Sequence, residues 1–93
     1  MEIPIKNGFY FYVLLCHDGS LYGGYTVNII NRVTTHNSGN GAKYTKPSSR
    51  RPVQLLYFEQ FENQHDALSA EYKFKHQSRQ KKIEFLKLKN VSL

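Results

Sequence analysis

The fold is decided by two neighbouring stretches of this 93-residue chain, FYFYVLLC at residues 9–16 and LYGGYT at residues 21–26. The first is aromatic and aliphatic with almost no polar residue, which is typical of a central strand covered on both faces. Between them, His17-Asp18-Gly19-Ser20 is turn chemistry. The two stretches therefore predict an antiparallel hairpin, preceded by a loose lead-in at residues 1–8.

Capping residues predict three helices further along the chain. Asn28 can cap a helix over residues 28–37, and Gly39 can end it. Asn63 can cap a second helix reaching about residue 77, and Ser78 can cap a third helix ending near residue 88.

A third strand is predicted at residues 53–61, where an apolar run passes into alternation. Residues 39–52 lack periodicity and carry Gly, Pro and Ser, as functional or mobile loops do. The predicted order is β-β-α-β-α-α, an α+β fold with a small three-stranded, mainly antiparallel sheet flanked by three helices. We expect a single domain at residues 9–89 and a frayed tail at residues 90–93.

Composition narrows the class of protein. The length suits one domain, and Cys16 is the only cysteine, so no intrachain disulfide or cysteine-based zinc site is possible. No stretch approaches the ~18 apolar residues of a membrane span, and the N-terminus lacks the pattern of a signal peptide. These features favour a cytoplasmic protein without a membrane partner.

The net charge of +6 is unevenly distributed. Residues 1–41 are neutral, whereas residues 42–93 hold eleven Lys or Arg against five Asp or Glu. Such a cluster favours a polyanion partner because each neutralised phosphate releases counterions, although charge that only aids solubility is the alternative.

Two charged residues fall on apolar helix stripes. Arg32 shares a stripe with His36, and Glu71 shares one with Ala67, Ala70 and Phe74. Taken alone, this pattern favours a salt bridge between Arg32 and Glu71. The functional alternative is a cleft in which Arg32 faces a phosphate and Glu71 a metal ion.

Two tyrosines could join such a cleft. Tyr12 and Tyr22 lie on the predicted hairpin, where a tyrosine is usually core filler with its hydroxyl at the edge. Gly23 and Gly24 follow directly after Tyr22. The absence of two side chains there predicts room for a substrate backbone.

At this point the sequence resembles the GIY-YIG nuclease family, most closely its short bacterial members. Phe11-Tyr12-Val13 and Tyr22-Gly23-Gly24 resemble its two name-giving motifs, although Phe, Val and Gly23 depart from the consensus. Arg32, His36 and Glu71 match the family arginine, histidine and metal-binding glutamate. Many members carry an Asn beyond the glutamate where this chain has Leu86, so no role is transferred to that position.

The resemblance implies phosphodiester hydrolysis assisted by one divalent metal ion, Mg²⁺ in the first place and Mn²⁺ as the alternative. Glu71 would hold the metal. Tyr22 would act as general base, directly or through His36. Arg32 would favour the Tyr22 phenolate and offset charge on the phosphate, and Tyr12 would orient the water or a phosphate oxygen.

The expected substrate is nucleic acid, DNA rather than RNA, with a protein partner as a conceivable source of specificity. Its contacts are expected from the glycine of the second motif and the basic loop, namely Gly24, Lys43, Tyr44, Lys46, Arg50 and Arg51. Two other functions remain open: a module of the same fold that binds nucleic acid without cutting it, and an adaptor that contacts proteins.

A shared site requires Tyr12 and Tyr22 on one face of the sheet. A two-residue turn at Asp18-Gly19 would place them on opposite faces. We therefore predict a three-residue loop at residues 18–20, which pairs Cys16 with Tyr22, or a bulge near Gly23.

Overall fold

The central strand is the apolar stretch that the sequence singles out. The computed structural model describes residues 1–93 and contains strands β1 (Phe9–Leu15), β2 (Leu21–Thr26) and β3 (Gln54–Phe61). Both β2 and β3 pair with β1 in antiparallel fashion, in the order β2-β1-β3. Because β1 has a neighbour on each side and is covered on both faces, its sequence contains no polar position.

Helices cover both faces of the sheet. Helix α1 (Ile29–Asn37) contributes Ile29 to the core that contains the even-numbered side chains of β1. Helices α2 (Gln64–Lys75) and α3 (Arg79–Leu88) cover the other face, where they pack on the odd-numbered side chains of β1. This arrangement follows from the two-residue period of a strand. It confirms the predicted α+β fold and its β-β-α-β-α-α order.

The β1–β2 hairpin has a three-residue loop, but at residues 17–19 and not at the predicted residues 18–20. The Cys16 N–H donates to the Ser20 carbonyl at 2.9 Å, and Gly19 has a φ of 86°. Tyr22 therefore pairs with Leu14, not with Cys16. The register of the hairpin differs from the predicted register by two residues. Because this number is even, Tyr12 and Tyr22 still lie on the same face of the sheet. Their ring centroids are 6.4 Å apart.

The three predicted helix caps are present. The side chains of Asn28, Asn63 and Ser78 each accept the backbone N–H three residues on, at 3.0, 2.8 and 3.2 Å. Gly39 ends α1 with a φ of 84°, as predicted. Helix α2 ends at Lys75, slightly earlier than predicted.

Both ends of the chain are tied to the domain. The sequence predicts fraying from residue 90, but Asn90 takes a φ of 63° and Val91 donates to the Leu86 carbonyl at 2.9 Å. This closes α3 in a Schellman motif and packs Val91 on the core beside Leu86. In the lead-in, Gly8 donates to the Val27 carbonyl at 2.9 Å. None of the helices combines the length and apolar character that a membrane span requires.

Candidate active site

Helix α1 presents Arg32 and His36 to the face of the sheet that carries Tyr12 and Tyr22. The two residues are one helical turn apart, so they project in the same direction. The His36 side chain is completely buried. Its Nε2 lies 2.8 Å from the Tyr12 hydroxyl, and the Nε of Arg32 donates to the same oxygen at 3.3 Å.

A directed chain of hydrogen bonds fixes the tautomer of His36. The Thr45 hydroxyl lies 2.6 Å from His36 Nδ1 and 3.2 Å from the Ala42 carbonyl. A hydroxyl has one proton, and a carbonyl only accepts, so Thr45 donates to Ala42 and accepts from Nδ1–H. Nε2 is then unprotonated and accepts the proton of Tyr12. Burial and the Arg32 cation lower the pKa of His36 to about 4, which keeps the ring neutral.

Tyr12 is held as a neutral phenol. Burial raises the pKa of Tyr12. The hydrogen bond from Arg32 lowers this pKa, and the Glu71 carboxylate raises it, but burial is the largest effect. Its oxygen donates one hydrogen bond and accepts another. Tyr12 is therefore suited to hold a fixed orientation, and not to take up a proton.

Tyr22 lies beside Arg32, and its hydroxyl is less fully engaged than that of Tyr12, which contacts both Arg32 and His36. Its ring packs edge-on against His36 at 5.2 Å and is stacked with Tyr44 at 5.6 Å. Burial lowers the pKa of Arg32, but the hydrogen bond to Tyr12 and the nearby Tyr22 hydroxyl outweigh it, and the net pKa is raised.

Glu71 and Lys75 reach the site from the C-terminal half of α2. Lys75 Nζ lies 3.2 Å from Glu71 Oε2 and 5.1 Å from the centroid of the Tyr22 ring. The salt bridge between Arg32 and Glu71 that the stripe pattern favours is therefore wrong. Glu71 instead pairs with Lys75, one turn further along its own helix, and Arg32 donates a hydrogen bond to Tyr12.

The donor set at Glu71 fits a magnesium ion. The Glu71 side chain is one-fifth exposed, at 20%, so its carboxylate is open to solvent. The structure contains no group of three or more His, Cys, Asp and Glu side chains that could hold a metal ion. A single carboxylate completed by substrate oxygens and waters suits Mg²⁺, whereas a zinc site needs more protein ligands.

Gly23 and Gly24 make room for the protein's own rings and not for a substrate, which corrects the sequence interpretation. A Cβ on Gly24 would overlap the hydroxyl and ring of Tyr12, and a Cβ on Gly23 would lie 2.7 Å from the Phe74 ring. Gly23 thus lets α2 approach β2 closely. The glycines act on the site by letting Tyr12 and Phe74 pack closely on β2, and the contact of Gly24 with nucleic acid stays a prediction.

Two arginines of the loop, for which a role in phosphate binding is predicted, form hydrogen bonds within the protein. Arg50 donates to Asp18 at 3.1 Å and to the Tyr44 carbonyl at 2.9 Å, and its guanidinium covers the Tyr44 ring at 4.1 Å. Arg51 donates to the Lys46 carbonyl at 3.1 Å. The ammonium groups of Lys43 and Lys46 are exposed and form no ion pair, so they stay available for phosphate.

Sequence reasoning missed two residues of the site. Lys75 could have been found, because it stands four positions after Glu71, the spacing of a helical ion pair. Thr45 carries no such signal. It meets His36 only because the loop folds into short 3-10 turns at Lys43–Thr45 and Ser48–Arg50.

A separate depression of about 410 Å³ lies on the opposite face of the sheet, between α2 and β3. It is lined by Phe11, Glu59 and Lys73 among others. Tyr12, Tyr22, Arg32, His36 and Glu71 do not line it, so it is distinct from the site.

The fold and these residues define a GIY-YIG domain. The family model described as the GIY-YIG catalytic domain matches residues 8–84, and the chain belongs to this family. A UPF0213 protein of Pediococcus pentosaceus is 68% identical, over 100% of this chain and 96% of that protein. A UPF0213 protein of Lactiplantibacillus plantarum is 55% identical, over 91% of this chain and 84% of that protein. The predicted similarity to short bacterial members of the family is confirmed.

Two solved structures share the fold. The solution structure of the protein EF2693 from E. faecalis has a TM-score of 0.60 and 49% identity, over 97% of this chain and 92% of that one. The solution structure of the UPF0213 protein BH0048 from Bacillus halodurans has a TM-score of 0.59 and 43% identity, over 87% and 84% of the two chains.

Proposed function

We propose that this protein is a metal-dependent endonuclease that hydrolyses phosphodiester bonds in nucleic acid, with DNA as the first substrate to test. The observation that carries the proposal is the contrast between two tyrosines. The Tyr12 oxygen is buried and occupied by Arg32 and His36. Tyr22, on the same face, has Arg32 as its polar neighbour there, and the Lys75 ammonium that pairs with Glu71 lies 5.1 Å from the centroid of its ring.

In this proposal Tyr22 is the general base. In its phenolate form, the Tyr22 oxygen takes the proton of the attacking water and becomes a neutral phenol. The water oxygen forms the new bond to phosphorus as the bond to the leaving oxygen breaks. Two cations are close to this base: Arg32 lies beside Tyr22, and the Lys75 ammonium lies 5.1 Å from the centroid of its ring. A relay through His36 lacks support, since the hydrogen bonds of His36 go to Tyr12 and Thr45.

Arg32 also binds the phosphate in this proposal. Its hydrogen bond to Tyr12 uses Nε, so the two terminal NH₂ groups remain free to donate to phosphate oxygens. Glu71 would release its ion pair with Lys75 and hold the metal ion in its place. When bound, the metal supplies positive charge that stabilises the leaving oxygen.

The test is cleavage of labelled DNA and RNA of several shapes, with and without Mg²⁺. Tyr22→Phe should lower the rate at least about 100-fold, the range that a general base contributes. Tyr25→Phe is the matched control, because it removes a phenol of the same strand from the opposite face. Full activity of Tyr22→Phe would refute the assignment of the base.

A second candidate function is binding of nucleic acid without cleavage. It is favoured by the Lys75–Glu71 ion pair, in which the carboxylate needed for the metal already has a cation as its partner. This function predicts salt-dependent binding, no cleavage with Mg²⁺ or Mn²⁺, and equal affinity for wild type and Glu71→Gln with or without metal.

A further inference from the structure

A shallow depression of about 220 Å³ adjoins the proposed active site. It lies where the hairpin end of β2 meets the first turn of α3. Its lining residues are Ser20, Leu21, Tyr44, Arg79 and Lys82. Tyr44 connects the depression to the site, because its ring is stacked with the Tyr22 ring at 5.6 Å.

The two cations of this depression have no acidic partner. Arg79 and Lys82 form no ion pair, whereas Lys81, in the same helical turn, lies 3.8 Å from Glu84. The Lys82 ammonium instead lies 5.5 Å from the centroid of the Phe74 ring. Two unpaired cations at one concave surface suit an anion with several oxygens, since a guanidinium and an ammonium donate to such oxygens together.

Tyr44 restricts the kind of ligand. Its ring is stacked with Tyr22 and covered by the Arg50 guanidinium at 4.1 Å. The ring faces are therefore engaged within the protein, which leaves the edge of the ring to line the depression. A phosphate group suits this lining better than a stacked base does, because base stacking needs an open aromatic face.

We propose that Arg79 and Lys82, with the edge of Tyr44, bind a backbone phosphate of the nucleic acid. This phosphate belongs to the cleaved strand and neighbours the phosphate that is cleaved at Tyr22. This inference rests on the proposed function, which it extends by giving the path of the substrate. The strand passes from Glu71 and Tyr22, along Tyr44 at the edge of the sheet, to the first turn of α3.

The test measures binding without metal, so that cleavage does not interfere. Fluorescence anisotropy of a labelled oligonucleotide is recorded between roughly 50 and 200 mM salt, the range over which phosphate contacts are resolved. Arg79→Gln and Lys82→Gln should each flatten the slope of log affinity against log salt by about 0.7–0.9. Each should weaken binding roughly 5- to 8-fold at ~0.1 M salt, which is that slope converted to a fold-change.

Lys81→Gln is the matched control. It removes the same charge from the same helical turn, but its ammonium is already paired with Glu84, so its slope should equal that of wild type. Lys82→Arg keeps the positive charge, so its salt slope should equal that of wild type. This comparison separates phosphate binding from the packing of the Lys82 side chain on Phe74.

The outcomes distinguish this subsite from the function on which it rests. The subsite would be overturned if the salt slopes of Arg79→Gln and Lys82→Gln equalled the slope of Lys81→Gln. The nuclease proposal would still stand in that case, provided that Tyr22→Phe loses cleavage. A wild-type protein that binds no nucleic acid at these salt concentrations would overturn both.

Discussion

Lowering the pH from 7 to 5 should destabilise the protein by about 2 kcal/mol through His36 alone. The imidazole is completely buried and neutral, with the Tyr12 hydroxyl donating to Nε2 and Nδ1–H donating to Thr45. A proton on Nε2 would break the first of these hydrogen bonds. It would also place a second positive charge beside Arg32.

The magnitude follows from the two pKa values of this histidine. Burial and the Arg32 cation lower the pKa of His36 from 6.5 to about 4 in the folded protein. Between these values the unfolded chain binds more protons than the folded one, so stability rises with pH. The contribution of His36 to the free energy of unfolding is complete above pH ~6.5. It falls by about 1.4 kcal/mol for each pH unit below that value. The loss levels off near pH ~4, at about 3 kcal/mol.

The assay is urea denaturation at pH 7 and pH 5, comparing wild type with His36→Gln. The stability of wild type should fall by about 2 kcal/mol more than that of His36→Gln over this range. His65→Gln, which changes an exposed histidine, is the control and should behave as wild type does. NMR titration of the His36 ring protons checks the cause directly, because they should stay in the neutral form at pH 5. A His36 that titrates near pH 6.5 would refute the reasoning.

Three other substitutions probe separate parts of the site. Gly24→Ala should destabilise the protein by about 1–3 kcal/mol in urea denaturation, because its Cβ would overlap Tyr12; unchanged stability would contradict this packing. Thr45→Val should cost about 1–3 kcal/mol by leaving His36 Nδ1–H buried without an acceptor, and Thr45→Ser should restore it. Lys75→Met should tighten binding of Mn²⁺, measured by calorimetry, by up to about fivefold, because a partly exposed ion pair is worth up to ~1 kcal/mol. Weaker binding would mean that Lys75 supports the metal site instead of competing for it.

The sequence predicts the fold well because its signals are local. An apolar run without alternation identifies β1 as the central strand, and three capping residues mark where the helices begin. The hairpin register is harder to predict, since it depends on which residue takes the left-handed conformation. The structure gives that role to Gly19, which moves the loop one residue towards the N-terminus from its predicted position. The parity of the register, and hence the face of Tyr12 and Tyr22, is the same in both arrangements.

Membership of the site was predictable from the order and spacing of its motifs, but the partners of its charged groups were not. Composition counts Arg50 and Arg51 as free cations, whereas the folded loop engages them with Asp18 and with backbone carbonyls. Arg79 and Lys82 look like a solvated helix face in the sequence. Their place beside Tyr44 follows from the angle at which α3 meets the hairpin, which no local pattern encodes.

The two hydrogen bonds of His36 suit it to anchor the site. Its ring is clamped between Tyr12 of the central strand and Thr45 of the loop, so it fixes the rotation of α1 about its axis. Arg32 lies one turn earlier on the same helix and is therefore held in register with the tyrosines. The stability of this buried chain of hydrogen bonds and the position of the Arg32 guanidinium are thus set by the same contacts. For this reason, acid that protonates His36 should disturb the orientation of Arg32 and Tyr12 before it unfolds the domain.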